Sequence, residues 1–335
     1  MQKLEFMKQF ATLVCDQLNV HKPEGFEDNY FEVVEITQNN GSKISGIATA
    51  ANENVAPRIH MDKLYDGYCD GNLSIEQAAD CVRESFSKEL NSGNMETITS
   101  YFSERLSDFS KVKDYIVPIL VSKEKNLELL ETVPYVTVEN LAVVFRVIFL
   151  DDLEKNNRDF CSSLVTNEFF NAWKQQDKKL HSAKLYRIAM ENGRKLLPPL
   201  VESMQSFSKA AIIAHLIELG YSDEELCEQV EKSLKEMEDN SANNMYVITN
   251  KKLMYGASVI LYTNVLPLLY EKHGPLYVIP SSTQELIAIP KGGVSPEEVL
   301  EMVKEVNGSD QVSDQEYLAD SVYSYTFPLG LKQIL

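Results

Sequence analysis

Met7, Phe10, Val14 and Leu18 fall three and four residues apart, the spacing of one helix face, so residues 3–18 are predicted to form a helix with a single buried side. The period then changes. In "YFEVVEITQNNGSKISGIATA", 30–50, two β-rich runs flank Asn40-Gly41, two residues that tolerate positive φ, and a hairpin is predicted. "APRIHM", 56–61, reads as a third strand. Ser74 and Gln77 make a capping-box pattern ahead of "AADCVRESF" and open a second helix. The front unit, 1–92, therefore reads as helix, three strands, helix.

Residues 93–133 are expected to be mostly helical, with a break or kink at Pro118 in "DYIVPILVSKEKNLELLETVP". "YVTVENLAVVFRVIFLDD" is rich in Val, Ile and Phe and is read as strand, with "NRDFCSSLVT" as its pairing partner. Residues 167–237 return to helix. Ser222 with Glu225 forms another capping box, Leu226, Val230, Leu234 and Met237 supply the apolar stripe, and Gly220 ends the helix before it. "EDNSANN", 238–244, is short, polar and free of large apolar residues, and reads as a linker.

The back unit, 245–335, mixes both periods. "MYVIT" and "ASVIL" read as adjacent strands around "NKKLMYG", with Lys251 and Lys252 solvated, because two neighbouring ammonium groups are not buried unpaired. Gly256 then marks the point where the chain turns back. "VLPLLYEKHG" is a short helix ending at Gly274, and "LYVIP" and "ELIAIP" are strands joined by "SSTQ". Ser295, Pro296 and Glu298 start a helix whose Val299, Leu300, Val303 and Val306 face inward, and "DSVYSYT" is a final strand. The expected class is α+β: mixed sheets with helices, a strand-containing front unit, a helical middle with a central strand pair (93–237) and a mixed back unit.

Composition narrows the function classes. The 335 residues are 44% hydrophobic and 24% charged, as in a soluble globular protein, and carry a net charge of −18. That balance disfavours binding to duplex nucleic acid, which needs clustered Lys and Arg. The start, "MQKLEFMKQFATLVCDQLN", lacks the basic and apolar blocks of a signal peptide. The longest apolar run, "LAVVFRVIFL", is too short for a membrane span and contains Arg146. Cys15, Cys69, Cys81, Cys161 and Cys227 are scattered and form no C-x-x-C pair, which fits free thiols in a reducing compartment. The expectation is a cytoplasmic chain, monomeric or weakly dimeric, that needs no membrane.

The chemical motifs are sparse. No G-x-S-x-G, H-E-x-x-H, P-loop or Rossmann fingerprint is present, and no two of His21, His60, His181, His215 and His273 sit at helical spacing for a metal. No metal and no cofactor are expected. His215, in "KAAIIAHLIEL", reads as a hydrogen-bonded core histidine rather than a ligand. His60 lies two residues from Asp62 at a strand end, so both could share one strand face and do acid–base work; a partly exposed structural pair is the plainer reading. Asp151-Asp152 could hold a hard cation but reads first as a solvated strand end. The acidic helix 222–239 reads mainly as an outer face, or as a steering surface for a basic partner. Two polar loops remain: 249–256, with Asn250 and Lys251, and 280–285, with Ser281, Ser282 and Glu285. Loops held on rigid strands are where ligands usually bind, although Ser, Thr and Asn there also serve turn chemistry.

"MYVITNKKLMYGASVILY", "LYVIPSSTQELIAIP", "VEITQNNGSKISGI", "NVAPRIHMDKLYDGY", "SIEQAADCV" and "VPYVTVENLAVVFRVIF" together resemble an uncharacterised domain-of-unknown-function family of Gram-positive gut (clostridial-type) bacteria. The resemblance runs over most of the chain. It implies a bacterial cytoplasmic protein with one continuous family domain, and it brings no activity and no site residues. The reading that follows is a non-enzymatic binding or regulatory protein with a protein or small-molecule partner, using a groove between its units. An enzyme of unrecognised type centred on His60 and Asp62 is the alternative, and a factor in conflict with mobile elements is a third.

Overall fold

The computed structural model describes residues 2–49, 58–91, 104–149, 162–218, 245–280, 282–308 and 312–335. It is an α+β structure whose described strand pairs are all antiparallel. The chain divides into two compact units, Met1–Lys111 and Val112–Leu335.

In the first unit, α1 (Gln2–Val20) buries Met7, Phe10, Val14 and Leu18, as their spacing predicts. β1 (Phe31–Thr37) and β2 (Lys43–Thr49) form the expected hairpin, and β3 (Arg58–His60) pairs with β2. The turn places Asn40 at φ 62° and Gly41 at φ 66°, the left-handed region these residue types tolerate. α2 (Asp62–Cys69) was not legible in the sequence, whereas α3 (Ile75–Asn91) begins at the expected capping box. There the Gln77 N–H donates to Ser74 Oγ at 3.1 Å and the Ser74 N–H to Gln77 Oε1 at 2.8 Å. Phe26, Phe31 and Phe86 meet with ring centroids 4.9 to 5.7 Å apart in the core. The free edge of β1 is partly closed by α1: Asn19 Nδ2 donates to the Phe31 carbonyl and the Phe31 N–H donates back to Asn19 Oδ1, both at 2.9 Å.

The second unit contains two sheets. The four-stranded one holds β4 (Ile116–Ser122), β5 (Tyr135–Val138), β6 (Leu141–Ile148) and β7 (Ser162–Leu164). β4 pairs along one side of β6, while β5 takes residues 141–144 and β7 residues 146–148 of the other side. The expected helical break at Pro118 is corrected here. Ile116–Ser122 is a fully buried strand with Pro118 opposite Phe145. Its β-branched run outweighs helix propensity, and β4 is an edge strand, where a missing N–H is tolerated. α4 (Leu127–Thr132) follows it. The apolar segment read as one strand is a hairpin, β5 and β6, turning at Glu139 with φ 53°. Its pairing with "SSL" is as expected.

α5 (Asn167–Gln176) and α6 (Ser182–Leu196) confirm the helical expectation after 167, and α6 packs on β4. Asn192 of α6 is buried and donates to the carbonyls of Lys113 and Ile116 at 2.7 and 3.0 Å. β8 (Pro199–Ser203) interrupts that helical region and precedes α7 (Met204–Glu218), which carries position 215. A half-buried, five-residue edge strand behind two prolines carries no period to read. The linker at 238–244 and the acidic helix at 222–239 lie outside the described residues.

The six-stranded sheet has the order β13-β12-β10-β11-β9-β8. Its members are β9 (Tyr246–Asn250), β10 (Leu276–Ile279), β11 (Leu286–Pro290), β12 (Tyr323–Thr326) and β13 (Gly330–Gln333), with β8 contributed from the middle of the chain. α8 (Val265–His273) ends at Gly274, φ 76°, and α9 (Pro296–Asn307) starts where predicted, with Pro296 first and a capping box between Ser295 and Glu298, and buries Val299 and Val303. "ASVIL" is not a strand beside "MYVIT". Gly256–Leu261 is a buried 3-10 segment, and β9 lies instead between β8 and β11. The Ser258 hydroxyl and N–H both donate to the Tyr255 carbonyl, at 2.7 and 3.2 Å, so a local three-residue turn wins over β-propensity. This segment contacts β9, β11, α6 and β4, so it is packed between elements of both sheets.

Candidate functional site

His60 and Asp62 do not share a strand face. His60 is exposed at the end of β3, and Asp62 is already the first residue of α2. The chain passes from extended to helical geometry between them, which removes the alternation on which the pairing rested. Ser281 and Asp151-Asp152 lie outside the described residues. Among the described residues, no group of three or more His, Cys, Asp or Glu is placed to hold a metal ion, and no helix is long and apolar enough to cross a membrane.

The two polar loops do come together. β9 and β11 are neighbours, so the chain leaving β9 and the turn entering β11 meet at one end of the sheet. Thr249 Oγ1 donates to the Gln284 carbonyl at 2.8 Å, the Tyr255 N–H donates to Gln284 Oε1 at 3.0 Å, and the Ala257 N–H donates to the Thr283 carbonyl at 3.2 Å. Gly256 lies so close that a Cβ there would collide with Thr249 Oγ1 and the Gln284 carbonyl. Glycine is needed here for close backbone approach; the turn itself is made by Leu253 and Tyr255 at φ 54° and 51°.

Most of the polar candidates are consumed inside this lock. Asn250 is fully buried; its Nδ2 donates to the Met254 carbonyl at 2.6 Å and its Oδ1 accepts from the Lys252 N–H at 2.9 Å. Ser282 is buried, donates to Glu285 Oε1 at 2.8 Å and accepts from the Gln284 and Glu285 N–H groups. Both side chains satisfy loop backbone, which is turn chemistry. Burial pushes the Glu285 carboxyl above its usual range; the Ser282 hydroxyl partly opposes this and the charge of Glu316 adds to it.

What the lock leaves outward is its tip. Lys251 and Lys252 are exposed, as two adjacent cations should be, and the sequence reading missed their neighbour Leu253, an apolar side chain 56% exposed at positive φ. On the inner side the loop delivers Met254 and Tyr255 onto the four-stranded sheet. The guanidinium carbon of Arg146 lies 5.6 Å from the centre of the Tyr255 ring. A single charge inside "LAVVFRVIFL" was the available signal for Arg146, and it served only as an argument against a membrane span.

No curated protein and no solved structure matches the chain. One family does, over residues 4–326. That match takes in both compact units, the interlocked loops and Arg146 alike. The chain belongs to this family of unknown function, DUF5688.

Proposed function

We propose that this chain is a binding or regulatory protein of the bacterial cytoplasm, in the lineage of Gram-positive gut bacteria, and that the tip at Lys251, Lys252 and Leu253 meets its partner. One observation carries the reading: an exposed leucine next to two cations, in a chain of net charge −18, stands on a loop locked to the next strand turn by Gln284. A loop held in place beforehand loses little conformational freedom on binding, which favours affinity. The fitting partner is a protein surface with an apolar hollow rimmed by carboxylates. Free Cys15, Cys69 and Cys81 support a reducing compartment.

The test is capture from the native cytoplasm by wild type and by a Lys251→Ala/Leu253→Ser variant, each checked for an unchanged melting temperature. A species retained by wild type and lost by the variant supports the reading. Identical captured sets remove the tip as a recognition element. The enzyme alternative needed converging groups around His60; its exposure on a strand end offers no support for that.

A further inference from the structure

α1 carries a second apolar row besides the stripe it buries. Phe6, Leu13 and Val20 recur every seven residues, two helical turns apart, and so stand in one line. They are 55, 49 and 71% exposed, while Met7, Phe10, Val14 and Leu18 fill the core from the inner side. Tyr68 of α2 widens the row: its ring lies 4.9 Å from that of Phe10, and its side chain is 41% exposed. Single exposed apolar side chains are ordinary on a protein surface, but three in register along one helix form the pattern of a helix–helix seam. Packing of the first unit accounts for the inner stripe and leaves this row without a role.

The exposed face is symmetric about Leu13. Gln9 and Gln17 stand four residues to either side of it, and Phe6 and Val20 seven residues to either side, all of them exposed. A face that reads alike from both ends is self-complementary when a second copy lies antiparallel across a two-fold axis at Leu13. Leu13 then meets Leu13 of the partner subunit, and Phe6 lies level with Val20 of the partner subunit. Gln9 and the exposed Asp16 share one flank of the row, and the pairing brings the Gln9 carboxamide within one residue's rise of Asp16 of the partner subunit, a donor beside a carboxylate. A parallel pair would instead set Glu5 against Glu5 and Asp16 against Asp16, which like charges oppose. We propose that α1 is the contact surface for a second copy of this chain, in an antiparallel homodimer centred on Leu13. The 19 residues of α1 span about 28 Å, and one helix pair covers less than the roughly 1,200–2,000 Å² of a standard interface, so the dimer is weak and forms at high concentration. This surface belongs to the first unit and does not depend on the reading of the Lys251–Leu253 tip.

The experiment is sedimentation velocity of the purified full-length chain over a concentration series. Wild type should move from monomer toward dimer as concentration rises. Leu13→Glu, which sets two carboxylates against each other on the axis, should lose the dimer while keeping the wild-type melting temperature. Should Leu13→Glu fail to fold, cross-linking decides. Chains with Phe6→Cys and chains with Val20→Cys are mixed and treated with oxidised glutathione, with wild type as the control for the exposed Cys69 and Cys81. A disulfide-linked dimer in the mixture, above wild type and above either variant alone, supports the antiparallel pair, and its absence overturns it. A wild type that stays monomeric at its highest soluble concentration, or a folded Leu13→Glu that dimerises as wild type does, overturns the proposal. A dimer linked by Phe6→Cys chains alone is a parallel pair and overturns the antiparallel assignment.

Discussion

Gln284 holds Tyr255 across the gap between two loops: its side-chain Oε1 accepts the Tyr255 N–H at 3.0 Å, while its own carbonyl accepts the Thr249 hydroxyl at 2.8 Å. One residue thus binds both ends of the segment 249–255. The segment is a framework that faces outward through Lys251 and Leu253 and inward through Met254 and Tyr255. Its polar groups are spent on rigidity rather than held for chemistry.

Gly256→Ala tests the closeness of that contact. The new Cβ would meet a backbone carbonyl and the Thr249 side chain, and a carbonyl cannot rotate away as a flexible side chain can. A loss of about 1–3 kcal/mol or more is expected in chemical denaturation, as for overpacked cores. Gly292, with open space around its Cβ position, is the control, and its alanine variant should stay within about 0.5 kcal/mol of wild type.

Val259 and Lys251 separate framework from surface. Val259 has no exposed area, so Val259→Ala should cost about 1–3 kcal/mol through lost packing. Lys251 is exposed, and Lys251→Ala should change stability by less than about 0.5 kcal/mol. A larger effect at Lys251 than at Val259, measured by urea unfolding, would mean the loop is held by its charge.

Glu285 gives the lock a pH dependence with a defined sign. Its folded pKa is raised, chiefly by burial, above the ordinary 4.5, with Ser282 opposing and Glu316 adding. The folded state therefore prefers the protonated acid, so this group favours folding below about 4.5, and that contribution is lost as pH rises through the folded pKa. Glu285→Gln keeps an acceptor for the Ser282 hydroxyl and removes the charge. It should be more stable than wild type at neutral pH, with the gap closing in acid. A gap that widens in acid would reverse the assignment.

In the first unit, Asn19 substitutes for a neighbouring strand. Removing its side chain leaves the Phe31 N–H and carbonyl without that partner, although Cys15 Sγ still donates to the carbonyl at 3.3 Å. Asn19→Ala should cost about 1–3 kcal/mol in equilibrium unfolding. A neutral result would show that water replaces both bonds.

What the sequence made legible follows from range. Asn40-Gly41, the Ser74–Gln77 box, the helix start at Ser295–Glu298 and the stripe of α1 are set by residues within a turn of each other, and all appear where expected. Pro118 and "ASVIL" misled because their conformations are decided by partners far along the chain. Pro118 lies opposite Phe145, and Ala257 is bonded to Thr283. The loops at 249–256 and 280–285 were recognisable as candidates, but their interlock was not, since it depends on β9 lying beside β11. Leu253 and Arg146 were missed because an exposed leucine and a half-buried arginine acquire meaning only once burial is known.

Hydrogen exchange at the Tyr255 and Ala257 amides tests the interlock most directly. Both should be strongly protected in wild type, and in Gln284→Ala the Tyr255 amide should lose protection while the amides of β10 and β11 keep theirs. Exchange of Tyr255 and Ala257 at solvent-limited rates in wild type would contradict the account, because the two loops would then not be joined.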